Sequence, residues 1–567
     1  MNTLKALIMT ILLSHFLAGG VSISGNMTRF SLKAPAALSV ELVLFDAADG
    51  PVVETLQMTR GGDAYFTYEH PGDLTGKYYA YRLKNRDSST HEFPAETLIA
   101  DPYSLAVATQ NRYNPVAKTL IIDPEFDWGG DAGPALDPRD LIIYEAHLKD
   151  MTAHPTAKAR GAGYYLKFID SQQRGGLVHV SQMGYNAVEF MPLFEFANVE
   201  IPYRDSSTTV FNTWNPYEAN HWGYMPTFFF APESQYASDG TSAKNAWTGT
   251  KGLQVSEFKT LVKTLHSQGI AVIMDVVYNH ISQYDHHPLK QIDKKNYFRH
   301  GDDGSFSSVS GCGNDLKTEN PDMRQMIVES IRYWMSEYHV DGFRFDLGLM
   351  LDWDTLDQIR REAQKINPKV FLTAEPWGGG YDPNGFSDHG WSSWNDQIRN
   401  GVKGQNPKDG LGFIFGKWQG NLNHDSFKRF FGGSPRDLGG QYLDPAQSVN
   451  YLESHDDNTL GDFIRLALGR VTQETVISDL EENARLTPRE LALHRLAAMT
   501  LLVSQGPIMI AEGQEWGRSK VIAPTTVPDP NVGRIDHNSY NKDNETNWLN
   551  WDQKALNAPL VDYYRGL

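Results

Sequence analysis

Four short runs in this chain end in acids and other polar groups. They are Asp275-Val276-Val277-Tyr278-Asn279-His280, Arg344-Phe345-Asp346, Ala374-Glu375-Pro376-Trp377 and Glu453-Ser454-His455-Asp456-Asp457. In the 340–348 run, VDGFRFDLG, Arg344 and Asp346 sit two apart, so an extended strand would turn both to one side. Taken alone, that pair reads equally well as a structural ion pair, because buried charges must be matched. Four such endings are hard to explain without a shared site. Two carboxylates about 5 Å apart suit retaining glycoside hydrolysis, in which one attacks while the other protonates the leaving oxygen and then activates water. The acid must hold its proton near neutral pH, which apolar walls favour, and Glu375 lies beside Pro376 and Trp377. The nucleophile must stay ionised, and Asp346 lies beside Arg344. Metal-assisted hydrolysis is the competitor, but the histidines of these runs, His280 and His455, are single and far apart, with no HExxH pair.

The elements that must position these groups alternate. Strand-like runs fall at 141–145, 186–193, 270–277, 340–348, 370–374, 448–451 and 507–511. Helical patterns lie between them. One is expected from Glu257, with Ser256 as its cap, Phe258, Leu261, Val262 and Leu265 on one face, and Gly269 as its stop. Another starts at Pro321 behind Asn320 and carries Met323, Met326, Ile327, Ile331, Trp334 and Tyr338 along one stripe. Alternation over this length predicts an α/β protein with a parallel sheet. A (β/α)8 TIM barrel is the favoured form and an open doubly wound sheet the alternative. No Gly-rich phosphate fingerprint follows any strand, which weakens the latter. In a barrel the strand ends converge on one face.

Upstream, 21–125 reads as a β-sandwich, with strand-like stretches at 29–33, 39–45, 65–68 and 77–83 punctuated by Gly and Asp. All 13 tryptophans lie at Trp128 or later, so this module is expected to pack against the rest more than to grip a sugar, unless Tyr65, Tyr68 or Tyr81 does so. A Gly/Pro/Asp-rich connection leads into the catalytic region, 140–567. Residues 1–20 carry one lysine and a short apolar run. As a secretory signal they would place the protein outside the cytoplasm or in the periplasm, and otherwise it is cytoplasmic. The run is too short to span a bilayer. With 51 basic and 69 acidic residues, the net charge of −18 argues against nucleic acid and anionic membranes as partners. Cys312 is the only cysteine, which excludes an internal disulfide and a Cys-based zinc site.

DVVYNH, GFRFD, the Glu of AEPW and the His-Asp pair of ESHDD resemble, in order and spacing, the motif strands of the α-amylase family of glycoside hydrolases, family 13. The resemblance runs from Tyr144 to Asp552. It implies Asp346 as nucleophile, Glu375 as general acid/base and Asp456 as the third carboxylate, which holds sugar hydroxyls. Arg344, His280 and His455 are implied as ring-binding residues, Asp275 and Asn279 as support, and Tyr224 as the aromatic under the ring being cleaved. Asn220-His221-Trp222-Gly223-Tyr224-Met225-Pro226 is similar to the YNWGYDP signature of pullulanases, with Met225 in place of Asp. AEPW is closer to isoamylases than to the GEGW of pullulanases. Both groups cut α-1,6 branch points, and both carry a carbohydrate-binding-type module before the barrel. No cofactor is required by this chemistry. Family members often bind calcium near the first motif, but no EF-hand-like loop is present.

The expected substrate is therefore an α-glucan such as pullulan, glycogen or amylopectin, cut at its branch points. The alternatives are an α-1,4-acting or branching relative, and a non-catalytic α-glucan-binding protein. A cleft for a branched chain needs flat apolar faces. Phe228, Phe229, Phe230, Trp247, Trp391 and Trp394 are expected in long loops, where each suits either packing or sugar contact. Relatives continue past the final Val561-Asp562-Tyr563-Tyr564-Arg565-Gly566-Leu567 through the last barrel helix into a C-terminal β-sandwich. Without these, apolar barrel surface is expected to be exposed, at a cost in stability.

Overall fold

A computed structural model describes residues 17–85, 97–112, 116–198, 219–282, 287–418, 423–525 and 529–567. Most of the segment weighed as a signal lies outside these residues. No helix among them is long and apolar enough to cross a membrane.

The strand–helix alternation closes into a barrel of eight parallel strands. They are β1 (Ile142–Ala146), β2 (Ala187–Phe190), β3 (Ala271–Val276), β4 (Gly342–Phe345), β5 (Phe371–Ala374), β6 (Ser392–Asn395), β7 (Ser448–Asn450) and β8 (Ile508–Ala511). β1 pairs with β2 on one side and β8 on the other, which completes the ring and excludes the open sheet. Side chains alternate along each strand. Ile143, Ile273, Phe371, Val449 and Met509 meet in an apolar cluster within the barrel, and Val188, Val272, Phe343 and Ile510 join the larger core outside it. One step nearer the C-terminal ends, the inward positions change character to Glu145, Glu189, Asp275 and Arg344, all buried.

The helix Pro321–Glu337 is capped by Asn320, whose side chain accepts from the Asp322 amide, and the whole predicted stripe from Met323 to Tyr338 is buried. The helix before β3 spans Leu253–Ser267 and so starts before the expected Ser256 cap. Its start is set by Gly252 in the left-handed region, φ 68°, while the Ser256 hydroxyl bonds back to Leu253 O inside the first turn. The expectation for the loop aromatics is also corrected. Phe228, Phe229 and Phe230 lie in a buried strand, Pro226–Pro232, and Trp391 and Trp394 are buried, the latter in β6. Phe229, Phe230 and Trp391 pack in the larger core and Trp394 in the cluster within the barrel. The terminal segment forms a helix, Ala558–Gly566, with Leu560, Val561 and Tyr564 buried.

The N-terminal module is two antiparallel sheets whose core includes Phe30, Leu42, Tyr79 and Tyr81. Tyr81 is fully buried and hydrogen-bonded to Asp101, so it offers no sugar platform. The larger sheet is completed by Trp247–Thr248, which pairs with Val107–Gln110. Thr109 then donates its hydroxyl to Glu195 at 2.7 Å, and Tyr103 stacks on Phe230 at 4.8 Å. Module and barrel thus share a sheet, hydrogen bonds and apolar packing.

Candidate active site

Arg344 is the hub. Its position on β4 aims it into the barrel, where it is fully buried. Nη1 donates to both oxygens of Asp275 at 2.9 and 2.8 Å and reaches Asp346 Oδ1 at 3.2 Å. Nη2 donates to Glu375 Oε1 at 2.5 Å. The guanidinium face lies 4.3 Å from the Trp394 ring centroid. One planar fork therefore fixes three carboxylates from the ends of β3, β4 and β5, as its donor geometry allows.

Asp346 is the first residue beyond β4, and its amide still bonds to Val276 O at 3.1 Å. Asn279, from the loop after β3, donates its side-chain amide to Asp346 Oδ2 at 2.9 Å. The next residue, Leu347, is left-handed at φ 40°, uncommon for a side chain of this kind. That turn aims its N–H at Glu375 Oε2, 2.8 Å away. Local backbone strain thus ties the two carboxylates together.

Burial, with the charges of Asp346 and Asp456, pushes the Glu375 carboxyl up to about 8 against the pull of Arg344. That shift favours the protonated acid near neutral pH. Asp275 is raised to about 6 by burial, opposed by Arg344. Tyr224 donates its hydroxyl to Asp275 Oδ2 at 2.5 Å and stacks on His455, ring centroids 5.0 Å apart. His455 Nδ1 bonds to Glu145 Oε1 at 2.8 Å. Despite the cost of burial, Glu145 and Asp456 hold the imidazole at about 9, so it is an imidazolium at neutral pH.

All nine residues singled out in the sequence gather at this end of the barrel, but unequally. Asp456 sits at the rim, 56% exposed, with His455 Nε2 3.8 Å away. His280 is fully enclosed, with Nε2 2.8 Å from Tyr224 O and Nδ1 against Asn279 Oδ1, and burial lowers its pKa. Its direct contacts are to the protein scaffold. Sequence reasoning missed Glu145 and Glu189 as site residues and set Trp394 in a loop, whereas it lies in β6. The first two lay inside runs read as strands, and an acid in an otherwise apolar buried run was the signal available.

Among the described residues, one group has the geometry for a metal: His147, Asp150 and His221, all buried. Two imidazoles and one carboxylate do not make the oxygen-rich shell calcium takes. These side chains also satisfy one another, His221 Nε2 lying 2.9 Å from Asp150 Oδ1. A cavity of about 630 Å³ opens at the opposite end of the barrel, beside Leu141, Ala271 and Phe371, and contains none of the catalytic candidates.

Residues 19–104 match carbohydrate-binding module 48 (isoamylase N-terminal domain). Over 97% of its length the chain is 30% identical to the pullulanase of Bacillus subtilis (strain 168), covering 70% of that protein. It is 29% identical to isoamylase SU1, chloroplastic, of Zea mays, over 96% of this chain and 72% of the relative. The fold superposes on the crystal structure of pullulanase from Paenibacillus barengoltzii in complex with maltohexaose and alpha-cyclodextrin. The TM-score is 0.78 at 31% identity, covering 97% of this chain and 79% of that one.

Proposed function

The chain belongs to the debranching enzymes of glycoside hydrolase family 13, the pullulanase and isoamylase group, and on that premise we propose that it hydrolyses α-1,6 branch points in α-glucans with retention of configuration. The observation that carries the chemistry is the Arg344 fork, which presents an Asp beside a Glu that burial keeps protonated.

In this reading Asp346 attacks the anomeric carbon at the branch while Glu375 gives its proton to the departing O6 of the main chain. The product is a glycosyl ester on Asp346. Glu375, now a carboxylate, takes a proton from water, which attacks the same carbon and releases Asp346. Arg344 donates to Asp346 at 3.2 Å, which orients it, and His455 offers a charged donor to the ring hydroxyls. Asp456, free at the rim, accepts from those hydroxyls, and Tyr224 packs an apolar face under the ring. Proton and nucleophile both come from side chains, so no cofactor is assigned, and the ligand is an uncharged α-glucan. The linkage specificity is supported by likeness to pullulanases and isoamylases.

Product analysis on pullulan, glycogen and linear amylose tests this. Maltotriose from pullulan with amylose untouched is expected. Debranched glycogen with pullulan largely intact would move the assignment to the isoamylase kind. Shortened amylose would overturn the α-1,6 reading.

A further inference from the structure

Just below the catalytic ring, several buried polar atoms have no hydrogen-bond partner among the described residues. They are both carboxyl oxygens of Glu189, Thr373 Oγ1, Arg344 Nε, Trp394 Nε1 and the Tyr451 hydroxyl. Each belongs to a side chain at most 1% exposed. Glu189 shares its inward face with Ala187, and its register partner across β1–β2 is Glu145. Adjacent strands lie about 4.8 Å apart, so the two acids are neighbours. The charged groups that face Glu189 are Glu145 on β1, Asp275 on β3, Arg344 on β4 and His455 beyond β7.

A buried polar atom without a partner is costly, and proteins meet that cost with ordered water where several such groups converge. Here Arg344 faces Glu189, pairs in register with Thr373 and lies 4.3 Å from the Trp394 ring centroid, and Trp394 packs on Tyr451 at 5.0 Å, so donors (Trp394 Nε1, Arg344 Nε) and groups of either kind (Thr373, Tyr451) gather at the acid's end of the barrel. Ionised, Glu189 would place a second negative charge beside Glu145 with no cation bonded to it. Neutral, it supplies an O–H.

We propose that Glu189 is a positioning residue, held as the neutral acid on a buried water cluster, whose O–H, relayed through that water, fixes the Glu145 carboxylate on which His455 rests. This rests on the debranching reading only for the reaction it serves. Burial and the neighbouring Glu145 and Asp275 charges push its pKa well up, in the same sense. The consequence is that His455 keeps its Nδ1 on Glu145 and its Nε2 turned toward the rim.

The test pairs infrared spectroscopy with kinetics on the full chain. The difference spectrum of wild type minus Glu189→Gln at neutral pH, without substrate, is expected to contain the carbonyl stretch of a protonated carboxylic acid. A difference showing only ionised carboxylate would overturn the proposal. In the kinetic arm, Glu189→Leu, shown folded by circular dichroism, is expected to lose roughly ten- to a hundredfold in kcat, the scale of a small misplacement. Its alkaline limb should move down, and Glu189→Gln, still a hydrogen-bond donor, should recover most of the loss. A lower Tm with unchanged kcat and pH profile in Glu189→Leu would reduce Glu189 to packing. Should Glu189→Leu not fold, Glu189→Ala takes its place. If wild type cleaves no α-glucan, the debranching reading fails while the infrared result still decides the state of Glu189.

Discussion

The ends of β4 and β5 differ sharply from the end of β7. At the former, Asp346 and Glu375 are enclosed, bonded to one guanidinium and tied by the Leu347 amide. At the latter, Asp456 stands 56% exposed, at a distance from His455 too long for a hydrogen bond. Groups that must change charge in step are held by several hydrogen bonds and largely enclosed, where electrostatics are strong. The group that meets substrate hydroxyls is left in water, where it can exchange solvent for sugar. The lesson is that pre-organisation is spent on the reacting pair.

Removing the nucleophile should have the largest effect. Asp346→Asn is expected to lose at least about 10⁴-fold in kcat while glucan binding persists, measured by turnover beside an affinity gel. Arg344→Lys attacks the scaffold itself. One ammonium cannot replace the fork, so activity should vanish, and disrupting a buried charge network should cost about 3–5 kcal/mol, read from denaturant unfolding. Glu375→Gln is expected to cost roughly 10²–10⁴-fold. In wild type, activity should fall as pH rises through about 8, where Glu375 loses its proton, with the loss of the His455 imidazolium following near 9. A pH–rate profile still rising past 9 would remove Glu375 as the acid. Asp456→Asn sharpens the contrast: kcat/KM should drop while Tm stays put, because an exposed acid contributes little to stability. The smallest effect is expected from Tyr224→Phe, which removes one hydrogen bond to Asp275 but keeps the ring, a fewfold loss consistent with about 1 kcal/mol.

The motif strands were legible because each ended in charge after an apolar run, and a barrel must bring such ends together. β6 was not legible. Its sequence, Ser392-Ser393-Trp394-Asn395, has no apolar run, and its hydrogen-bonding side chains serve the neighbouring strand, as when Asn395 donates to Ser448 Oγ at 2.9 Å. Trp394 was expected in a loop for the same reason, yet it lies in β6 under Arg344. Glu145 and Glu189 were hidden inside strands because local sequence cannot say which alternate face points into a closed barrel. The Leu347 turn was invisible, since nothing in LG announces that the leucine, rather than the glycine, takes the left-handed position.

The strand Trp247–Thr248 has a consequence for how the molecule comes into being. It is made more than a hundred residues after the Val107–Gln110 strand it pairs with. While the chain is being synthesised, the first module emerges with that edge bare and waits for the partner to leave the ribosome. Bare edges invite foreign strands. Domains of nascent chains usually fold as they appear, but here the module reaches its final form only once part of the barrel region has been made. A gene cut between the two would yield a module that recruits its neighbours instead.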